Sequence, residues 1–264
     1  MRYLVVLCFA LGVSLSEGQE SPQAAEAKES ISTSVQILTA ARKNDYDLVI
    51  KLTDETADGS YDGLRAEAFQ RRGEQRFYDN DIKGSIEDFD AFLELHPTRD
   101  PHHWQRGLSY YYAERYQDGK EQFERHQTVN SQDVENAVWH FLCAVRAPEG
   151  SVAAARESFI PITEDTRVPM KEVHALFAGE GTADAVLEAA KAEGDPKTEL
   201  RAKNAFCYAH LYLALYYEGV GEDDKSKEHI AKAANDYRMD HYMGATAVVH
   251  AKQRGVKVEK AEKE

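Results

Sequence analysis

The sequence predicts an all-α protein, a right-handed α-solenoid of helix-turn-helix pairs, and three observations carry that expectation. Gly73 returns as Gly107 and Phe89 as Phe123, each 34 residues later, a period that marks a helix pair unable to bury its apolar face alone. Apolar residues recur at helical spacing, and no segment alternates over enough residues to argue for a sheet. Glycine-rich phosphate loops are absent from the sequence.

Residues 1–16 read as a secretory signal: Arg2 supplies the positive start, residues 3–15 the apolar run, and Ser14 and Ser16 the small residues before a cut. Cys8 raises a lipoprotein signal as a rival, which the bulky Leu7 before it opposes. Residues 17–28, rich in Glu, Gln, Ala and Ser without apolar period, read as a flexible leader. A degenerate helix pair follows near 30–58, with Val35, Ile37, Leu38 and Ala41 on one helix, Leu48, Ile50 and Leu52 on the other, and a break around Asn44 and Asp45.

Repeat copies then occupy 66–99, 100–133 and about 136–165. The two prolines of 161–169 exclude a continuous helix there. A second degenerate pair spans about 170–193, from Val173, Leu176 and Phe177 to Val186, Leu187 and Ala190, and Gly194 and Pro196 stop it. The fourth copy covers 207–240, and a last helix through Tyr242, Ala245, Val248 and Val249 is expected to cover the open end. The whole of 29–254 reads as a single domain, with a charged, frayed tail over 255–264.

The copies share a pattern of residue types. Phe69, Gly73, Ser85, Phe89 and Pro97 define it in the first, with Arg76 at an aromatic place; His103, Gly107, Tyr110, Gly119 and Phe123 repeat it in the second. Trp139, Leu142, Cys143, Ala155 and Phe159 follow in the third, and Leu213, Ala214, Tyr217, Gly221, Ser226 and Ala233 in the fourth, where Ile230 replaces the second aromatic. The combination resembles the tetratricopeptide repeat (TPR) family, and the layout is similar to exported bacterial cell-envelope TPR adaptor proteins. Gly73, Gly107, Cys143 and Ala214 stand where the first helix of a pair crosses the second, and overpacking such a crossing costs about 1–3 kcal/mol.

The formal net charge is −14, and a cut after Ser16 removes only Arg2 among charged residues, leaving −15. So acidic a surface argues against nucleic acid and anionic membranes, because phosphate binding needs clustered Lys and Arg. No run of the mature chain reaches transmembrane length. Cys143 and Cys207 each fall at a packing position inside an expected helix, which favours two separate buried thiols over a bridge.

The TPR resemblance implies that the first helices of successive pairs line a concave face. It thereby points to Gln70, Glu74, Phe77 and Tyr78 from the first copy, Trp104, Leu108, Tyr111 and Tyr112 from the second, His140 from the third, and Tyr208 and Leu211 from the fourth. Tyr and Trp offer apolar area with a polar tip at low entropic cost, which suits recognition of a protein, peptide or glycan; the bland alternative is packing between helices. The chaperone-binding members hold a carboxylate with Lys, Arg and Asn at places that here carry Gln70, Glu74, Trp104 and Leu108, which disfavours that role.

A second cluster, His126, Asn130, Asp133, Glu135, Asn136, Trp139 and His140, holds groups able to act as acid, base or metal ligand. Its spacing matches no HExxH-type motif, and Asn130 and Asp133 suit helix capping. His102 and His103 read as solvated residues at a helix start, and Arg72 and Arg106 as partners of Asp88 or Glu121 between helices. The expectation is therefore an exported scaffold, periplasmic or secreted, binding a protein or peptide without catalysis, metal or cofactor. An enzyme, or a small-molecule or metal-binding protein using the 126–140 junction, is the alternative.

Overall fold

A computed structural model describes residues 22–56 and 59–259, and the expected signal over 1–16 lies outside them. Thirteen α-helices and no strand make up the described residues. The first four are α1 (Pro22–Arg42), α2 (Tyr46–Asp54), α3 (Asp62–Tyr78) and α4 (Ile82–Leu95). Helix α1 starts inside the stretch assigned above to the leader; Pro at the first helical position followed by Ala, Glu and Lys is a helix-forming composition.

A 3₁₀ turn over Pro97–His102 leads to α5 (Trp104–Tyr112) and α6 (Tyr116–Gln127), then α7 (Val134–Arg146) and the short α8 (Val152–Glu157). An extended connection reaches α9 (Met170–Ala178) and α10 (Ala183–Lys191), followed by α11 (Leu200–Gly219), α12 (Asp223–Ala231), a π turn over Lys232–Asp236 and α13 (Tyr242–Gln253).

Helices one to twelve pair in order, and each of the six turns between partners passes through one left-handed residue: Asn44, Asn80, Glu114, Glu149, Gly179 and Gly221. Asn and Gly adopt that conformation readily, whereas a glutamate does so at some cost. Where Asp45 and Asp81 follow, their side chains accept a hydrogen bond from the third residue on and start the second helix.

Within a pair, closeness is set by the small residue that the sequence period singles out. A Cβ on Gly73 would lie 2.6 Å from Phe89 Cε1, and one on Gly107 2.7 Å from Phe123 Cζ, so two rings with essentially no exposure sit on bare backbone. Burying each contributes roughly 1.5–3 kcal/mol. Arg72 grips the buried Asp88 with two hydrogen bonds of 2.9 and 2.6 Å, tying α3 to α4. Arg106 does not meet Glu121; it donates to Gln122 of α6 and to Asp90 of α4, and pairs with Asp100, so it links three elements. One apolar core runs from Phe77 to Ala251, and a small satellite of Ala40, Val49 and Ala68 joins α1 and α2 to α3. Cys143 and Cys207 are buried free thiols.

Candidate binding site

The flank of the paired helices that carries Phe77, Tyr78, Trp104 and Tyr112 is covered by α13. Tyr242 stacks on Phe77 with ring centres 5.6 Å apart and meets Tyr78 at 5.2 Å and Trp104 at 4.7 Å edge to face. Further along, the Tyr112 hydroxyl lies 3.2 Å from His250 Nδ1, Lys252 donates to the Tyr78 carbonyl, and Gln253 donates to Asn80 Oδ1 at 2.9 Å. The last helix thus packs on the α11–α12 pair and also runs back to α3, instead of only covering an open end. Its sides are apolar nearly all round, with Met243, Ala247, Val248, Val249 and Ala251 buried, which is the mark of an enclosed helix.

A single carboxylate fastens it. Glu218, 5% exposed on α11, accepts from the Tyr111 hydroxyl and from Arg254 Nε and Nη2, the last at 2.7 Å, with Arg146 Nη2 at 3.3 Å and His250 Nε2 at 3.4 Å. Burial alone would raise its pKa; hydrogen bonding from Arg254, with the positive charge around it, overcomes this and holds the carboxyl down at about 2. Burial lowers His250 to about 4 despite Glu218 beside it, so the imidazole is neutral.

These contacts decide where the sequence-derived binding residues lie. Phe77, Leu108, Tyr111, Tyr112, Leu211 and His140 are buried in the folded chain, the first, third and fourth among the ring and hydrogen-bond contacts around α13, so none offers a face to a partner while that helix is docked. His140 turns to Glu124, 3.3 Å away. Gln70 and Glu74 bond one another, and Gln70 also reaches His103 at 2.8 Å. His103 is a correction: it is 3% exposed, caps α5 through Nδ1, and burial lowers its pKa to about 3, while His102 is exposed as expected. Tyr78, Trp104 and Tyr208 stay partly exposed.

Among the hollows of the described residues, one cleft of about 210 Å³ lies where the two sequence clusters meet. Trp104 of α5, Phe123 and His126 of α6, and Asn136 and Trp139 of α7 wall it; Asp133, Glu135 and Arg167 form one end, and His241 and Met243 close the rim. Local chemistry fixes each wall. Asp133 caps α7 by accepting from the Glu135 amide, Asn130 bonds Asp133 at 3.1 Å, and His126 Nδ1 is 2.9 Å from the Pro101 carbonyl, which holds its ring and tautomer. Asn136 donates to the Phe123 carbonyl and to Gln127, which leaves its Oδ1 buried without a partner, as is Trp139 Nε1.

At the acidic end Arg167 meets Asp133, Glu135 and Asp165, each at 2.6 Å. Burial lifts Glu135 to about 7, with Asp133 and Asp165 adding to the rise and Arg167 opposing it. A larger hollow of about 450 Å³ lies beyond Arg167, but it is an open dish edged by the exposed Leu200, so the enclosed cleft is the stronger candidate. Sequence reasoning missed Arg167, His241 and Met243, which come from a connection and from a helix start more than 30 and 100 residues away from Asp133. Among the described residues no cluster of three metal-ligating side chains exists, and no helix is long and apolar enough to cross a membrane.

A scan against protein-family models and a search of curated proteins found no match to this chain.

Proposed function

We propose that the protein is an exported, non-enzymatic scaffold of the TPR type, a right-handed α-solenoid that binds a segment of a protein partner in the cleft between the α5–α6 and α7–α8 pairs. The observation that carries this reading is the cleft itself: two tryptophans line it beside Asn136, and Asn136 Oδ1 and Trp139 Nε1 are buried without a hydrogen-bond partner, the make-up of a recognition pocket. The 34-residue pattern and the Gly73–Phe89 and Gly107–Phe123 crossings support the TPR-type stack. Export rests on Arg2, the apolar 3–15 run and the small residues Ser14 and Ser16.

A small molecule is the second reading, favoured by size, since about 210 Å³ exceeds the ~150 Å³ that houses a benzene ring. The deciding experiment places a photoreactive residue at the exposed position 241 and crosslinks in the native compartment. The scaffold reading expects a discrete protein adduct that Trp104→Ala abolishes, and a synthetic copy of the captured segment that binds the purified chain. Adducts that survive Trp104→Ala, or none at all, refute it.

A further inference from the structure

The walls of the cleft also say which chemistry fits it. Three carboxylates, Asp133, Glu135 and Asp165, face one guanidinium, Arg167, so the acidic end carries more negative than positive charge. Arg167 is already engaged with all three, so an anionic ligand would have to compete with three carboxylates for its charge. Trp104 and Trp139 line the same cleft, and indole rings attract cations through their quadrupoles. Asn136 Oδ1 adds an acceptor with nothing to accept from, and Trp139 Nε1 a donor with nothing to donate to, in side chains 3% and 2% exposed.

We propose that the cleft receives one basic side chain, an arginine or lysine, of the bound segment: its cationic head lies between the tryptophans and the Asp133 and Glu135 carboxylates, and Asn136 Oδ1 accepts one of its N–H groups. Trp139 Nε1 donates to a carbonyl of the same segment. This rests on the cleft being the partner-binding site. The lifted Glu135 agrees with it, because a group held near neutrality by burial and by Asp133 and Asp165 is short of positive charge, which a bound cation supplies. A net charge of −14 further raises the local concentration of basic segments.

The chain contains two tryptophans, and both line this cleft, so a ligand entering it changes the tryptophan emission. The full mature chain is titrated with N-acetyl-arginine amide, its neutral isostere N-acetyl-citrulline amide, N-acetyl-glutamate amide, and methylguanidinium as a free cation without a backbone. Saturable change is expected with the arginine amide, weaker by about tenfold or more with the citrulline amide and with methylguanidinium, and none with the glutamate amide. Glu135→Gln should weaken arginine-amide binding by about tenfold while far-ultraviolet circular dichroism stays unchanged.

A second measurement needs no variant. Asp133 on the same helix start, Asp165 and Arg167 on the connection, and Tyr208 and Tyr212 of α11 face Glu135, His126 of α6 and His241 before α13 share its cleft, and binding by the wild type should strengthen as pH rises through about 7 and Glu135 ionises. Equal binding of the citrulline amide, tighter binding of methylguanidinium, or an affinity indifferent to pH and to Glu135→Gln overturns the proposal. Arginine-amide binding without a crosslinked protein at position 241 would keep this pocket and remove the scaffold; a crosslinked segment without arginine-amide binding would do the reverse.

Discussion

Glu218→Gln should be the most damaging conservative change in the molecule. The carboxylate is held at about 2 against an ordinary 4.5, which at about 1.36 kcal/mol per pH unit makes roughly 3 kcal/mol of pH-dependent stability. The folded value is depressed, so this contribution is complete above pH 4.5 and disappears as pH falls through 2. The glutamine is nearly isosteric, yet it leaves Arg254 and Arg146 facing a neutral group in a mostly buried place, a loss of about 3–5 kcal/mol when one partner of such a pair is removed. Urea unfolding at neutral pH, followed by far-ultraviolet circular dichroism, measures it. Arg254→Met in the same chain should recover part of the loss, because the stranded charge is then gone. A loss below about 1 kcal/mol, or an acid limb below pH 4.5 identical to wild type, would refute the assignment of Glu218 as the fastening of α13.

Mild acid should destabilise the fold before Glu218 titrates: burial lowers His250 to about 4 and His103 and His210 to about 3, so the unfolded chain takes up protons below 6.5 that the folded chain refuses. Glu135, lifted to about 7, opposes this by taking up its proton in the folded chain, but three histidines outweigh one carboxyl, so the melting temperature should fall from pH 7 to pH 5 and fall further in Glu135→Gln; a flat profile in that variant would show that these rings are not buried neutral. Gly107→Val should cost about 3 kcal/mol by forcing a side chain into Phe123, and Phe123→Leu should relieve part of it in a double-mutant cycle. Glu114→Gly should stabilise by up to about 1 kcal/mol, measured by the urea midpoint, since an exposed left-handed glutamate gives way to the residue that tolerates that conformation. Deleting 237–264 should uncover Phe77, Tyr112 and Trp104, seen as a red shift of tryptophan emission and as binding of a hydrophobic dye; unchanged emission would place α13 elsewhere.

The helical class and the helix crossings were legible because they depend on near neighbours. Gly73 and Phe89 are sixteen positions apart on two arms of one hairpin, and the same relation recurs at Gly107 and Phe123. Arg72 reaching Asp88 is a contact of that same kind. The flank under α13 was not legible, because its occupant is joined to it only through distant pairs: Tyr112 with His250, Asn80 with Gln253, Tyr111 with Glu218. The exposed aromatic groove implied for Phe77, Tyr111 and Tyr112 assumed a flank without tenant. One sequence signal pointed the other way: Met243, Gly244, Ala247, Val248, Val249 and Ala251 leave α13 little polar face, and a helix apolar on most sides needs enclosure. His103 misled for a local reason, since a histidine after proline at a helix start looks solvated until Gln70 of the preceding pair is placed against it.

The two candidate sites turn out to depend on one another. His241 and Met243 form the rim of the cleft, and both belong to the start of the helix whose far end Glu218 and Arg254 hold. A ligand in the cleft therefore contacts a surface that exists only while α13 is docked, and any free energy of binding there adds to the docking of the helix, by about 2.7 kcal/mol at a hundredfold excess over Kd. Linkage makes the effect reciprocal: a change at Glu218 that leaves α13 docked in only a fraction of molecules weakens the cleft for its ligand by that fraction. Tyr111 and Tyr112 then acquire a role different from contact with a partner. They sit between Trp139, which walls the cleft, and Glu218 and His250, which anchor the helix, and so couple the two through packed rings 5.3 and 6.0 Å from the tryptophan.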